Sequence, residues 1–375
     1  NLRAALEKAL GKNEGDAITK EDLAGLTELN YEGKEGAKIS DLTGLEHCTS
    51  LTVLDLKHHQ ITDVSPLANL TNLARLDLNG NQISNPDPLS SLINLTYLVL
   101  AHNQISNVSA LSNLTSLTRL SLYVNQISDI NPISNLTNLK VLSVDRNPVS
   151  DISPLSQLTS LKNLLLYDAK ISDISALVDL SNLTTLWLYN NQISDITPLI
   201  QNTGISGEIK LKNNPLSNTA LSTHIPALIE RGITVEYDMP EGVVLFKDAN
   251  LEKAIRDALG IPTELLKIED LEKLKELQAV GEDSDPASKK IINLTGIEHC
   301  RSLTFLNIPF NGIKNIDSLS NLTQLNSLVL DGNQISDLEP LKELTNLGTL
   351  ELASNKISDL KPLRNLKNLH YVKLQ

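Results

Sequence analysis

Cysteine is almost absent: 375 residues hold two, Cys48 and Cys300. No disulfide framework can therefore hold the fold together, and the thiols do not reveal the redox compartment. Basic residues are the minority, with 32 Lys and Arg against 45 Asp and Glu, for a formal charge of −13. A surface that displaces counterions from phosphates needs clustered Lys and Arg, so no nucleic-acid partner is expected. No apolar run approaches the roughly 18 to 20 residues that cross a bilayer. No signal-peptide pattern opens the chain either, so this segment is not expected to insert into a membrane. Aromatic residues are few: seven Tyr, three Phe and one Trp.

Catalytic signatures are also missing. There is no glycine-rich phosphate loop, nucleophile elbow or metal-binding helix. Carboxylates are plentiful, but Asp63, Asp129, Asp151, Asp173 and Asp195 recur at one repeat position. Periodic acids are architectural, whereas an active site needs a singular constellation. His47, Cys48, His58 and His59 lie close in sequence, yet their spacing matches no zinc pattern. Cys48 and Cys300 occupy a place that Leu70 and Leu92 hold in later copies, and both are expected in the core. No enzymatic activity, cofactor or metal is expected.

What the chain does have is repetition. From Leu51 the pattern Leu-x-x-Leu-x-Leu-x-x-Asn-x-Ile recurs every 22 residues, with first leucines Leu51, Leu73, Leu95, Leu117, Leu139, Leu161 and Leu183. An eighth copy on Ile209, Leu211 and Asn214 is one residue out of register, and the period resumes at Leu303, Leu325, Leu347 and Leu369. A fixed period of this size reads as a solenoid. Leu73, Leu76 and Leu78 describe a short parallel strand with inward leucines, and Ile83 extends the apolar spine. Asn81, Asn103, Asn125, Asn147, Asn191, Asn214, Asn311, Asn333 and Asn355 fall where the chain leaves the strand. An amide both donates and accepts, so a stacked ladder of them can satisfy a buried turn. His59 and Ala169 depart from the ladder. Pro66, Pro88, Pro132, Pro154 and Pro198 forbid a long returning helix and favour a tight 3₁₀ turn, so the array curves toward its strands. The fold class is therefore α/β: a leucine-rich-repeat solenoid with a curved parallel sheet inside and 3₁₀ turns outside.

Two such arrays follow one another, each behind a helical cap that covers its open end. Residues 1–50 are the first cap, with Leu2, Leu6 and Leu10 on one helix, closed by Gly11, and Leu23, Leu26 and Leu29 on a second, opened by a Thr19–Asp22 capping box. Residues 51–217 are the first array, and 218–240 a closing helix and strand. Residues 241–302 are a linker and second cap, and 303–375 the second array, expected to be truncated. The second cap repeats the first, from Asp248 through Leu251, Ile255, Leu259 and Gly260 to Ile268, Leu271, Leu274 and Leu277. The linker's Val243, Val244, Leu245 and Phe246 predict that it is packed. The chain reads as a piece of a longer precursor.

The 22-residue copies, the runs of the type NQISDISPL and the paired helical caps resemble the internalin-like class of bacterial leucine-rich-repeat proteins. The resemblance implies a protein that is secreted or held at the cell surface. It also implies binding of a host or neighbouring protein through the concave face.

On that face the residues flanking the strand leucines meet solvent. Eight aromatics stand there, far more than an even scatter would place: Tyr97, Tyr123, Tyr167, Trp187, Tyr189, Phe305, Phe310 and Tyr371. Parallel strands lie about 4.8 Å apart, so Tyr167 and Tyr189 should touch. Arg75, Asp77, Arg119, Asp145, Arg146 and Asp168 supply charge, and Val99 and Leu165 add apolar surface. Exposed aromatics with nearby Arg and Asp anchor protein interfaces. The expected site is the first array, with Arg75, Asp77, Phe305, Phe310 and Tyr371 secondary. The expected partner is a protein; stacked Tyr and Trp also suit a sugar ring, and the blandest alternatives are strand propensity alone or a structural spacer.

Overall fold

The structure is a computed structural model that describes residues 1–282, 284 and 286–375. Two compact units divide the chain: Asn1–Leu216 with His224–Asp238, and Ser217–Thr223 with Met239–Gln375. Among the described residues the first unit carries ten parallel strands in sequence order, from Glu28–Asn30 to Thr234–Glu236, and the second carries five, from Glu276–Gln278 to Tyr371–Lys373. Sequence-ordered parallel strands follow from a coil of constant length, which returns each strand beside its predecessor. Leu76 thus faces Leu98, and Leu98 faces Leu120. At the out-of-register copy Thr185 pairs with Glu208, and the surplus residue is absorbed at Gly207. That glycine has φ +76°, and a Cβ on it would lie 2.2 Å from the Thr184 carbonyl oxygen, so only glycine fits.

Leu73, Leu76, Leu78 and Ile83 are fully buried, as are their equivalents along the array. The returning halves are 3₁₀ turns such as Ser65–Leu67, Asn131–Ile133 and Ser153–Gln157, each with proline in its first two positions. Pro198 instead opens a short α-helix, Thr197–Gln201. The periodic aspartates start these turns: Asp63, Asp129, Asp151, Asp173 and Asp195 each accept the amide two residues on at 2.8 Å. Those bonds hold the carboxyls of Asp63 and Asp151 below their ordinary range.

The asparagine ladder is realised in full chemical detail. Asn147 Oδ1 accepts the Ile127 amide at 2.9 Å, while its Nδ2 donates to the carbonyls of Leu122, Val144 and Asp145. His59 does the same work with an imidazole. Its Nδ1 accepts the Ile39 amide at 3.1 Å, and its Nε2 lies 2.8 Å from the Tyr31 carbonyl, so Nε2 carries the proton. Burial favours that neutral ring by lowering its pKa. Preceding each rung, one residue turns left-handed, including His58, His102, Val124, Arg146, Asp168 and Asn190. A second ladder, not foreseen from the sequence, runs along the outside: Asn72, Asn94, Asn138 and Asn182 donate to carbonyls 23 residues earlier.

The ends differ from expectation in several respects. The helices Leu2–Ala9 and Lys20–Ala24 form, the latter with the Thr19–Asp22 capping box. Leu29, however, lies in the first strand and not on a helix, because Glu28–Asn30 pairs with Val53–Asp55. Leu277 likewise lies in Glu276–Gln278. A bare sheet edge is better satisfied by one more strand than by a helix flank. The helix predicted after Asn218 is a π-turn, Ala220–His224, running into the α-helix Ile225–Glu230. Ser217–Thr223 group with the second unit and not with the array they follow. In that second unit Val244 and Phe246 are buried, and a Cβ on Gly296 would strike the Phe246 ring. Cys48 and Cys300 are free and fully buried, and burial pushes their thiols up to about 11 and about 12.

Candidate binding face

On each strand of the first unit, residues alternate between the leucine core and the inner curve. The residue two places after a copy's first leucine starts one column. There Tyr97 is sandwiched by cations, with the Arg75 guanidinium 3.7 Å and that of Arg119 5.6 Å from its ring centre. Such contacts hold a ring upright while leaving its edge wet. Trp187 comes two residues later in its own copy; its Nε1 donates to Glu208 at 3.2 Å and Lys210 lies 4.4 Å from its ring. The sequence reading omitted Lys210 and Glu208.

Tyr123, Tyr167 and Tyr189 share a further column at the strand ends. Tyr167 stacks on Tyr189 with centroids 4.3 Å apart and planes 12° apart. Trp187 lies 6.2 Å from Tyr167 and 6.4 Å from Tyr189. Three rings from two adjacent coils thus form one half-exposed cluster. Tyr123 stands apart from it, packed edge-on against His102 at 4.8 Å, a histidine that sequence reasoning missed. Arg146 and Asp168, in left-handed turns beside the column, form an ion pair at 3.1 Å. Arg146 also lies 5.8 Å from the Tyr167 ring. Leu165 is half-buried beside them.

Three candidates are not surface residues in the sense expected. Val99 is 7% exposed, Asp77 8% and Asp145 1%. On an inner curve, side chains of neighbouring coils lean together, and larger ones roof the smaller. Asp77 accepts the Asn79 amide at 3.1 Å, and burial raises its carboxyl pKa. Asp145 lies in the column between Tyr123 and Tyr167, and burial raises its carboxyl more than the Ser143 hydroxyl, which donates to Oδ1 at 2.5 Å, lowers it. Burial likewise raises the Tyr123 and Tyr167 phenols, and the adjoining Asp145 carboxylate adds to it. Tyr123, Asp145, Tyr167 and Trp187 line a pocket of about 310 Å³ together with Ser121, Ser143, Asn163 and Thr185. No sequence signal marked it, because it exists only where small residues happen to adjoin.

Phe305, Phe310 and Tyr371 belong to the second unit. Phe305 is half-buried on its strand, and Tyr371 is 50% exposed on the last one. Phe310 is not on a strand: it occupies a left-handed turn with φ 56° and covers Gly332, whose Cβ would lie 2.4 Å from the ring. Among the described residues no cluster of His, Cys, Asp or Glu could hold a metal ion, and no helix is long and apolar enough to cross a membrane.

Sequence-ordered parallel strands, 3₁₀ returns and an asparagine ladder define a leucine-rich-repeat solenoid. The family model "Leucine Rich repeats (2 copies)" matches residues 71–113, 115–157, 159–201 and 301–343, and a single-repeat model matches 47–65. An internalin of Listeria monocytogenes, inlF, is 31% identical; the match covers 100% of this chain and 94% of that one, with a TM-score of 0.55. Internalin C2 of the same organism is 39% identical over 54% of this chain and 89% of its own, with a TM-score of 0.52. No curated protein sequence matches. The chain belongs to the internalin-like family of bacterial leucine-rich-repeat proteins.

Proposed function

We propose that the chain is a non-catalytic binding module, secreted or held at the cell surface, that docks a partner protein on the inner face of its first array. The observation that carries this reading is the cluster of Tyr167, Trp187 and Tyr189, stacked from adjacent coils yet half-exposed. A rigid aromatic cluster buries large area at small entropic cost, and a row of charged neighbours gives it orientation. Tyr97 between two arginines, and Arg146 paired with Asp168, supply that row. The carboxylates that recur along the chain are used as turn caps, which supports an architectural role for them. Membership of the internalin-like family supports both the binding role and the location.

The test replaces Tyr123, Tyr167, Trp187 and Tyr189 by Ala together. Near-normal thermal unfolding with loss of partner capture is expected, since none of the four fills the leucine core. Capture that survives the replacement would overturn the reading, as would specific binding on a glycan array run alongside.

A further inference from the structure

Asp145 is the most deeply buried acid of the first array, 1% exposed, and it lines the pocket. Its Oδ1 accepts from Ser143, but among the described residues nothing donates to Oδ2. The Tyr167 hydroxyl is near enough to favour the carboxylate, without a hydrogen-bonding geometry to that oxygen. The local cations are turned elsewhere: Arg146 pairs with Asp168, and Arg119 leans toward Tyr97. A buried acid with one idle oxygen is a cost to the fold, and such costs are kept where a ligand relieves them.

The second array shows what that ligand looks like. Asp331 holds the same place in its coil as Asp145, six residues after the first leucine. There both oxygens are engaged: Oδ1 accepts the Ala353 amide at 2.7 Å, and Oδ2 meets Lys373 Nζ at 2.6 Å. Lys373 stands two coils further on, at the repeat position that Trp187 fills relative to Asp145. Where one array supplies its own ammonium, the other supplies an indole, a phenol ring and a space. An aromatic wall beside a carboxylate is suited to an incoming cation.

We propose that the pocket between Tyr123, Tyr167 and Trp187 receives a basic side chain of the partner, its stem against the rings and its cation on Asp145 Oδ2. This rests on the strand-face reading above and adds the chemistry of the partner's anchor: a lysine or arginine presented on a protein surface.

Trp187 is the chain's one tryptophan, so its fluorescence reports this pocket alone. The full chain is titrated with n-butylammonium and n-butylguanidinium, with n-butylurea as the neutral control, at constant ionic strength. A saturable change with either cation and none with the urea is expected. Asp145→Asn should weaken the response about tenfold or more, as should Asp145→Ala, which keeps the test usable if one variant folds poorly. Failure of both cations, or an equal response in both variants, overturns the proposal. Failure here with capture still lost in the four-ring variant removes the anchor and leaves the docking face; capture surviving the four-ring replacement removes the face itself.

Discussion

A single side chain decides whether a coil's turn is satisfied. At Ala169 the ladder lacks its rung, although Val149, whose amide that rung would cap, is fully buried. Ala169→Asn should therefore stabilise the chain by about 1 kcal/mol, the net worth of a buried hydrogen bond, measured as an upward shift in the urea midpoint with unchanged slope. His59 shows that the position wants an acceptor and a donor and not asparagine as such. Asp145 works in the opposite direction. Its pKa is raised in the folded state, so the stability tied to its protonated form is present below the unfolded value, about 3.9, and is lost as pH rises through the folded one. Asp145→Asn should accordingly raise the melting temperature at pH 7, with the gain vanishing as the pH is lowered toward 4. A gain that persisted at acid pH would point to packing and not charge.

At the level of an element, the coil is defined by its length and its two turns. Gly207 absorbs the one extra residue of the eighth copy in a left-handed turn against the Thr184 carbonyl. Gly207→Ala should cost more than about 1 kcal/mol, since strained φ and steric overlap act together; thermal unfolding of the purified variant reads it directly. The aromatic column belongs to this scale as well. Tyr167 and Tyr189 were expected to touch from strand spacing alone, and they stack at 4.3 Å. The burial of Val99, Asp77 and Asp145 was not legible, because it depends on which neighbours in adjacent coils are long enough to cover them. Leu29 and Leu277 follow other leucines at a three-residue spacing that suits a helix and the approach of a strand alike; the adjoining sheet edge decides between them.

In the first unit as a whole, stability is a sum over neighbouring coils, since each leucine layer touches only the next. Leu142, fully buried at mid-array, should cost about 2–5 kcal/mol on replacement by Ala. Because that cavity weakens coupling on both sides, the denaturation transition should broaden as well as shift, whereas Tyr189→Ala should leave its width unchanged. A sharp, unshifted transition for Leu142→Ala would contradict a core built from stacked layers. The acidic balance of the whole chain, −13, would complement the proposed basic anchor at longer range.

By itself the sequence determined the coil: its 22-residue length, the inward leucines, the asparagine rungs, the periodic architectural aspartates and the columns in which the rings stand. Each of these is a periodic property, fixed by which residues alternate along a strand and where a turn must find hydrogen bonds. Tertiary structure alone decided which groups on the inner face lose water. Asp145 and Asp331 occupy the same repeat position, but Asp331 meets a lysine two coils away, whereas Asp145 lines an open pocket with a tryptophan, a difference that no local pattern marks.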